Sequence, residues 1–209
     1  MIDLEAWMRD AMQHRRELEA GGYYFLGNID DDAAYRFSQS LLLMAVARRG
    51  DPSTPITIYI NSGGGSIGSG IAMLEMIYKM RAEYGVTINT VVTGYAYSMG
   101  AIVFQAGERR LMGAYSTLML HSPQWTLSGN DQRIFSDFAV LAEHYQSLVA
   151  NLFTQRNGKH DAAWWEDFIY SGRDRFLTAR ECLDLGLTDG LYDGHDLLPP
   201  MPVTAAEPT

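Results

Sequence analysis

The chain has 209 residues, 47% of them hydrophobic, so it is long enough to bury a substantial core. With 16 Lys and Arg residues against 25 Asp and Glu residues, its formal net charge is −9, which argues against nucleic acid as a partner. The single cysteine, Cys182, excludes an internal disulfide framework, and no Cys and His cluster has the spacing of a metal site.

Helical and extended patterns alternate along the chain. The predicted strands are Tyr23–Leu26, Ile56–Ile60, Thr87–Thr93 and a short apolar strand that ends at His121. The predicted helices are Asp3–Ala20, Asp30–Arg49, Ile67–Tyr84, Met99–Ala106, Asp131–Arg156 and Thr178–Leu185. Strands separated by helices of this length imply right-handed βαβ crossovers and a mainly parallel sheet.

Targeting and membrane signals are absent from the sequence pattern. The first residues carry acids instead of a basic region followed by an apolar run, unlike a signal peptide. The longest apolar stretch, Leu41–Ala47, is too short to span a bilayer. We therefore expect a cytoplasmic protein without membrane contact, and disorder in the proline-containing tail from Asp193 to Thr209.

Ser98 lies in the stretch Gly94–Ala101, where an extended apolar run gives way to a helical pattern. The preceding strand would deliver this serine to a helix N-terminus, where the amide of Met99 could donate to an oxyanion. A serine hydroxyl becomes a good nucleophile only when the fold aims it and a base takes its proton. Taken alone, a serine at this place is more often a helix N-cap.

Two further stretches stand out. Asn61-Ser-Gly-Gly-Gly-Ser-Ile67 follows a predicted strand, and three successive glycines allow a turn that presents bare amides to a ligand. Ser116–Pro123 ends an apolar strand with His121. Each stretch also has a plain structural explanation, a flexible turn in the first case and a locally hydrogen-bonded histidine in the second.

Together with Gly172-Arg-Asp-Arg-Phe-Leu-Thr-Ala-Arg-Glu181, these motifs resemble the proteolytic subunit of the Clp protease. Their order and separations match that family from about Gly22 to Asp189, which is most of the chain. The resemblance implies an α/β fold of the ClpP/crotonase type, a spiral of ββα units with a mainly parallel sheet and a projecting handle helix. It also implies one peptidase domain over residues 1–192, with the handle region at about 124–160.

Carried over position by position, the resemblance makes Ser98 the nucleophile, His121 the general base and Asp174 the acid that orients it. The backbone amides of Gly65 and Met99 would form the oxyanion hole. The implied activity is that of a serine endopeptidase acting on unfolded or short polypeptides, with neither a metal nor a cofactor. Without the resemblance, the Arg-Asp-Arg run around Asp174 would be interpreted as a solvated ion-pair patch.

Other bases in the sequence are poorer candidates than His121. The remaining histidines, His14, His144, His160 and His195, lie in polar helical or loop contexts. Only Lys79 and Lys159 could serve a Ser–Lys dyad. Lys79 lies near the end of a predicted helix, where a lysine commonly complements the dipole.

The long predicted helix Asp131–Arg156 suggests assembly. It carries apolar residues three and four positions apart, namely Ile134, Phe138, Leu141, Tyr145, Leu148 and Leu152. Such a stripe indicates core packing or an interface. In the Clp-type family the equivalent helix is a handle through which two rings of seven stack into a tetradecamer, and we favour that role here. The expected partners are polypeptide substrates, further copies of this chain and a ring-shaped ATPase of the Clp type.

Several positions depart from the family pattern. Gly63 stands where the family usually has proline, which predicts a looser oxyanion loop. Ser122 replaces a typical glutamine, and Gly172 replaces the acid of an acid–arginine pair that helps latch the two rings. The helix pattern begins close to Met1, where family members carry loops that engage the ATPase. A peptidase without an ATPase partner, for instance of phage type, is therefore an alternative.

Two functions of other classes stay open from the sequence. An inactive or weakly active structural ring subunit would not need the three triad residues, all of which this chain keeps. A crotonase-type enzyme would share the fold and a paired-amide oxyanion hole but act on acyl-CoA thioesters. Reaction with a fluorophosphonate probe distinguishes the peptidase from both.

Overall fold

The computed structural model describes residues 4–51, 53–123 and 132–192, with side chains from residue 11 in the first helix and from residue 137 in the long helix. The helices are α1 Leu4–Ala20, α2 Asp31–Ala47, α3 Ile67–Tyr84, α4 Met99–Phe104, α5 Gln132–Asn157, α6 Ala162–Tyr170 and α7 Ala179–Asp184. The strands are β1 Tyr23–Leu26, β2 Ile56–Ser62, β3 Ile88–Tyr97, β4 Arg110–Gly113, β5 Thr117–Leu120, β6 Arg175–Thr178 and β7 Gly190–Tyr192. This mixed architecture with a mainly parallel sheet confirms the predicted fold class.

The sheet is parallel except where β6 joins it. Strands β1, β2, β3, β4 and β7 lie side by side in that order. Strand β5 pairs in parallel with the last residues of β3, Tyr95–Tyr97, and antiparallel with β6. The change of neighbour along β3 takes place at Gly94, whose φ of 97° is readily adopted only by glycine. The bend carries the end of β3 towards Ser98.

Capping residues fix where α2 and α3 begin. The Asp30 carboxylate accepts a hydrogen bond from the amide of Ala33 at 2.7 Å. The Ser66 hydroxyl accepts one from the amide of Ser69 at 3.3 Å, and α3 ends at Gly85 in the left-handed conformation. Both helices therefore begin at the carboxyl edge of the sheet, directly after the loops that follow β1 and β2.

The core lies where the helices pack on the sheet. Its fully buried side chains include Phe37 and Leu41 of α2, Ile56, Ile58 and Ile60 of β2, Met73 and Ile77 of α3, and Phe104 of α4. Burial of each such side chain contributes about 1.5–3 kcal/mol. Because protein cores are close-packed, these buried side chains hold the strands and helices from which the loops at the carboxyl edge of the sheet begin.

Among the side chains of helix α5 that the structure describes, the buried ones lie in its C-terminal half. Val149, Ala150, Leu152 and Phe153 are buried, and the Phe153 ring lies 5.0 Å from that of Trp165 on α6. In the preceding turns, Val140 and Leu141 are 68% and 38% exposed. Of the residues in the predicted apolar stripe, Leu152 therefore lies in the core and Leu141 is exposed.

A buried polar network joins the ends of α4, α5 and β7. The guanidinium of Arg110, which is 3% exposed, donates to Asp189 Oδ1 at 2.5 Å, to Gln105 Oε1 at 2.6 Å and to Asn157 Oδ1 at 2.8 Å. Burial alone would raise the pKa of the Asp189 carboxyl, but the hydrogen bonds and charge of Arg110 hold it below its usual value. Because Gln105 follows α4, the network anchors the far end of the helix that begins beside Ser98.

Within the described ranges, no helix is both long enough and apolar enough to cross a membrane. The tail predicted to be disordered, from Asp193 onward, lies outside those ranges. The first residues of the predicted handle region, 124–131, lie outside them as well.

Candidate active site

Ser98 occupies a sharp turn between β3 and α4. Its φ of 53° and ψ of −124° make it the one residue other than glycine with a positive φ among those the structure describes. Its amide donates to the carbonyl of Met119 on β5 at 2.8 Å. Its side chain makes no capping hydrogen bond to α4, so the hydroxyl is not acting as an N-cap.

His121 lies one residue beyond β5, beside this turn. Its Nε2 atom is 2.8 Å from Ser98 Oγ, within the reach that a general base requires. The proximity follows from the sheet, because the parallel register pairs Tyr97 with Met119 and the next residues leave both strands at the same edge. The structure thus brings the predicted nucleophile and base together.

Asp174 immediately precedes β6, the antiparallel neighbour of β5. The register pairs Leu120 with Arg175, and His121 and Asp174 are the residues that adjoin this last pair of the two strands. In the described structure no hydrogen bond joins these two side chains, and Asp174 is exposed. The third predicted residue thus adjoins the end of the strand pair that leads to His121, and its role in the triad stays a prediction.

The glycine-rich loop after β2 packs directly against Ser98. A Cβ atom on Gly64 would lie 2.8 Å from Ser98 Cβ and 3.1 Å from the amide nitrogen of Met99. The next residue, Gly65, has a φ of 145°. Within the described part of the chain, neither the Gly65 amide nor the Met99 amide donates a hydrogen bond. An oxyanion hole requires free donors near the nucleophile, and these two amides belong to Met99, which follows Ser98, and to Gly65, which follows the glycine packed against Ser98.

The loop before α2 holds the glycine-rich loop in place. The amide of Ile29 donates to the carbonyl of Gly64 at 2.9 Å, and the amide of Ser66 donates to the carbonyl of Ile29 at 2.8 Å. These bonds form a parallel bridge between Ile29 and Gly65. In such a bridge the intervening amide, that of Gly65, points away from the partner strand.

An apolar pocket adjoins Ser98 and His121. Its lining includes Ile67 and Ile71 of α3, Met99 and Ile102 of α4, Val149 of α5 and Tyr170 of α6, and its space is about 40 Å³. A larger groove of about 940 Å³ between α3 and α5 contains neither Ser98 nor His121. The small pocket is the one that could hold a substrate group while its carbonyl lies at the nucleophile.

The alternative bases are engaged elsewhere. Lys79 pairs with Glu83 on the surface of α3, and Lys159 donates to the carbonyl of Asp184 at 2.6 Å. The His160 ring stacks on an aromatic ring of α6. Among the described residues, His, Cys, Asp and Glu form no group of three or more that could hold a metal ion.

Sequence reasoning did not identify the residues that brace the site. The backbone of Ile29, which fixes the glycine-rich loop, carries no side-chain signal at all. Strand β6, which places Asp174, is four residues long and was not predicted as a strand. The pocket residues of α5 and α6 appeared in the sequence only as ordinary apolar positions. Only the three-dimensional packing reveals these contributions.

Comparisons with known proteins identify a family and relatives that match most of this chain. The sequence model of the Clp protease family matches residues 11–195. ATP-dependent Clp protease proteolytic subunit 2 of Rhodococcus jostii is 32% identical over 171 residues, which cover 79% of this chain and 80% of that protein. The ATP-dependent Clp protease proteolytic subunit of Streptococcus agalactiae is 27% identical over 176 residues, covering 82% of this chain and 84% of that protein.

Proposed function

We propose that this chain, which belongs to the Clp protease family of serine peptidases, uses Ser98, His121 and Asp174 as its catalytic triad. The observation that carries the proposal is the 2.8 Å contact between Ser98 Oγ and His121 Nε2 at a strained strand-to-helix turn. A strained backbone is expected where it serves a function, because its cost must be offset by surrounding structure.

In the proposed reaction, Ser98 Oγ attacks the carbonyl carbon of the peptide bond while His121 Nε2 takes the hydroxyl proton. The same proton then passes from His121 to the leaving amine, and an acyl group stays on Ser98. A water molecule, deprotonated by His121, hydrolyses that ester and frees the serine. Asp174 accepts a hydrogen bond from the other ring nitrogen of His121 and stabilises the imidazolium.

The amides of Gly65 and Met99 would stabilise the negative charge on the carbonyl oxygen in each tetrahedral intermediate. Their support is that both amides lack an acceptor within the described residues, that Met99 follows Ser98, and that Gly65 follows Gly64, which packs against Ser98. Removal of one such donor typically costs about 10²–10³ in turnover. The positions of both amides depend on backbone geometry, so no side-chain motif specifies them.

The substrates we propose are unfolded or short polypeptides. The pocket beside Ser98 is apolar and narrow, about 40 Å³, which favours a small apolar side chain next to the bond that is cut. No other feature of the described surface near Ser98 supplies strong sequence readout. Selectivity would then come mainly from access to the site.

Access would be controlled by assembly into heptameric rings, stacked in pairs through α5. The support is exposed apolar surface, because Phe25 of β1, Leu43 and Val46 of α2, and Val140 of α5 are each more than half exposed. Exposed apolar groups of this extent commonly mark protein interfaces. A ring-shaped ATPase of the Clp type is the proposed partner for folded substrates. We place the assembly in the cytoplasm, in keeping with a single, buried cysteine.

The decisive experiment is labelling of the purified protein with a fluorophosphonate probe, with particle mass measured by light scattering on the same sample. Wild type should be labelled on Ser98, and Ser98→Ala should lose both labelling and hydrolysis of a fluorogenic peptide. Ser53→Ala, an exposed serine in the loop before β2, is the matched control and should behave like wild type. Equal labelling of Ser98→Ala would refute Ser98 as the nucleophile.

Asp174 is tested by the same assay. Asp174→Asn should lower kcat by up to about 10⁴ if the carboxylate orients His121. Asp167→Asn, which removes an exposed charge from the neighbouring helix α6, should leave kcat unchanged. Losses of only a few-fold in both variants would assign Asp174 to a surface ion-pair patch.

A further inference from the structure

We infer that Ser69 and Asp31 are positioning residues for the oxyanion hole, because they clamp the glycine-rich loop to the start of α2 through side-chain hydrogen bonds. Neither residue contacts the proposed reacting atoms. The inference rests on the proposed function, since it gives Ser69 a catalytic consequence only if the Gly65 amide serves the oxyanion.

The clamp is a continuous set of contacts. The buried Ser69 hydroxyl, on a residue 5% exposed, donates to Asp31 Oδ1 at 2.5 Å. Its oxygen also lies 2.9 Å from Ser66 Oγ, and the Ser69 amide donates to Ser66 Oγ at 3.3 Å. Ser66 directly follows Gly65. The first turn of α2 is therefore tied, through Ser69 and Ser66, to the residue after the proposed oxyanion donor.

The loop needs such a restraint because of its composition. Gly63, Gly64 and Gly65 are successive glycines, the residue type that loses the most conformational freedom on folding. Backbone bonds from Ile29 hold Gly64 and Ser66, and at the entry of the loop the Gly64 amide donates to Ser62 Oγ at 3.1 Å. A Cβ on Gly63 would meet nothing closer than 3.9 Å. The side-chain clamp at Ser69 restrains the exit of the loop, on the far side of Gly65.

The chemistry of the pair makes the clamp strong for a single hydroxyl contact. A hydrogen bond to an ionised carboxylate is shorter and about twice as strong as one between neutral groups. Asp31 is exposed to solvent, which weakens the contribution of its charge to the hydrogen bond, whereas the Ser69 hydroxyl is buried. Loss of one such bond corresponds to about a tenfold change in an equilibrium or rate. We therefore expect about a tenfold loss of kcat in Ser69→Ala.

The experiment measures kcat and KM separately on the full-length protein with a fluorogenic peptide, together with the rate of fluorophosphonate labelling and the Tm. Ser69→Ala should lower kcat and the labelling rate about tenfold, with KM within about twofold of wild type. Asp31→Asn keeps an oxygen that can accept from Ser69 but loses the charge, so both quantities should fall by a smaller factor. Asp32→Asn is the matched control, because this neighbouring carboxylate pairs only with Arg36 on the exposed face of α2. It removes the same charge from the same helix turn and should leave kcat unchanged.

A rescue variant separates positioning from general support of the fold. Proline is compatible with position 63, because the Gly63 amide donates no hydrogen bond in the described structure and its Cβ direction is open. The preceding residue, Ser62, ends β2, and an extended backbone is what proline requires before it. Gly63→Pro restrains the loop from its other end, so adding it to Ser69→Ala should restore most of kcat.

The outcomes distinguish a failure of the clamp from a failure of the proposed function. If hydrolysis by wild type depends on Ser98 but Ser69→Ala keeps full kcat, the clamp is not a positioning device and the proposed function stands. Equal losses of kcat in Asp32→Asn and Asp31→Asn would also overturn the positioning role of the clamp, because the loss of negative charge at the start of α2 would then explain both results. If wild-type hydrolysis survives Ser98→Ala, the proposed function itself fails.

Discussion

Gly64→Ala tests whether the close approach of the glycine-rich loop to Ser98 is required for catalysis. Gly64 has a φ of 92°, and an added Cβ would lie 2.7 Å from the carbonyl oxygen of Tyr97 and 2.8 Å from Ser98 Cβ. Contacts this short are far inside normal van der Waals distance. The methyl group must therefore push the loop away from the turn that carries the nucleophile.

The expected magnitude follows from two costs. A residue with a Cβ in a left-handed conformation costs about 1–2 kcal/mol, and overpacking at a buried position costs about 1–3 kcal/mol. Summed to about 2–5 kcal/mol, these costs lower the Tm of a chain of this size by about 4–20 °C. The effect on turnover should be larger, because displacement of the neighbouring Gly65 amide removes an oxyanion donor worth about 10²–10³ in kcat.

The assay is steady-state hydrolysis of a fluorogenic peptide, with Tm measured by calorimetry on the same preparation. Gly63→Ala is the matched control, because its nearest neighbour would be Asn28 Oδ1 at 3.9 Å and its φ lies outside the left-handed region. It adds the same methyl group one residue away and should change neither kcat nor Tm appreciably. A kcat for Gly64→Ala within about threefold of Gly63→Ala would refute the role assigned to this approach.

Three further predictions concern stability and reactivity. The lowered pKa of Asp189 means that its pairing with Arg110 stabilises the fold above the ordinary carboxyl pKa and is lost as the pH falls through the lowered value. The Tm difference between wild type and Asp189→Asn should therefore be largest at neutral pH and shrink below about pH 4, and a constant difference would contradict this. Burial raises the pKa of the Cys182 thiol to about 12, so a thiol reagent at pH 8 should react with it only in denaturant; fast reaction of the native protein would show that it is accessible. Thr178→Ala removes the capping box that Thr178 and Glu181 form at the start of α7 and should cost about 1 kcal/mol in urea unfolding, whereas an unchanged midpoint would show that the cap contributes nothing.

Elements with a strong local pattern were predictable from the sequence. Helix α3 runs from Ile67 to Tyr84 as predicted, because Ser66 caps its start and Gly85 ends it. Strand β1 also coincides with its prediction at Tyr23–Leu26. In both, local residues alone carry the information that determines the boundaries.

The elements that sequence reasoning missed depend on distant partners. Strands β4, β6 and β7 are three or four residues long, and each exists because a neighbouring strand supplies its hydrogen bonds. Strand β3 was predicted to end at Thr93, but it continues to Tyr97 because β5 pairs with its last residues beyond the bend at Gly94. A tertiary partner thus extended a strand past a residue that locally breaks it.

In the candidate site, too, some features were predictable from the sequence and others depend on distant parts of the chain. Residue types and motif order in the sequence pointed to Ser98 and His121, and the structure places their side chains 2.8 Å apart. The sequence carried no information on how the Gly65 amide is oriented, because that depends on a backbone bridge to Ile29. The contact between Ser69 and Asp31 joins residues 38 positions apart and has no motif of its own.

Asp174 is the proposed triad residue whose position depends on the most distant pairing. Ser98 and His121 leave two adjacent parallel strands, but Asp174 is located by the pairing of β6 with β5, across the intervening helices α5 and α6. Arg175 ties the start of β6 to α6, through a hydrogen bond to the carbonyl of Phe168 at 3.0 Å.

Helix α6 in turn packs on the buried half of α5, where the Phe153 and Trp165 rings meet, while the other half of α5 exposes Val140. Because these elements are directly packed, we expect a contact that moves α5 to act on the position of Asp174. Val140→Asp, on the exposed half, should then lower particle mass and kcat together while Tm stays near wild type. If mass falls and kcat is unchanged, Asp174 is positioned independently of assembly.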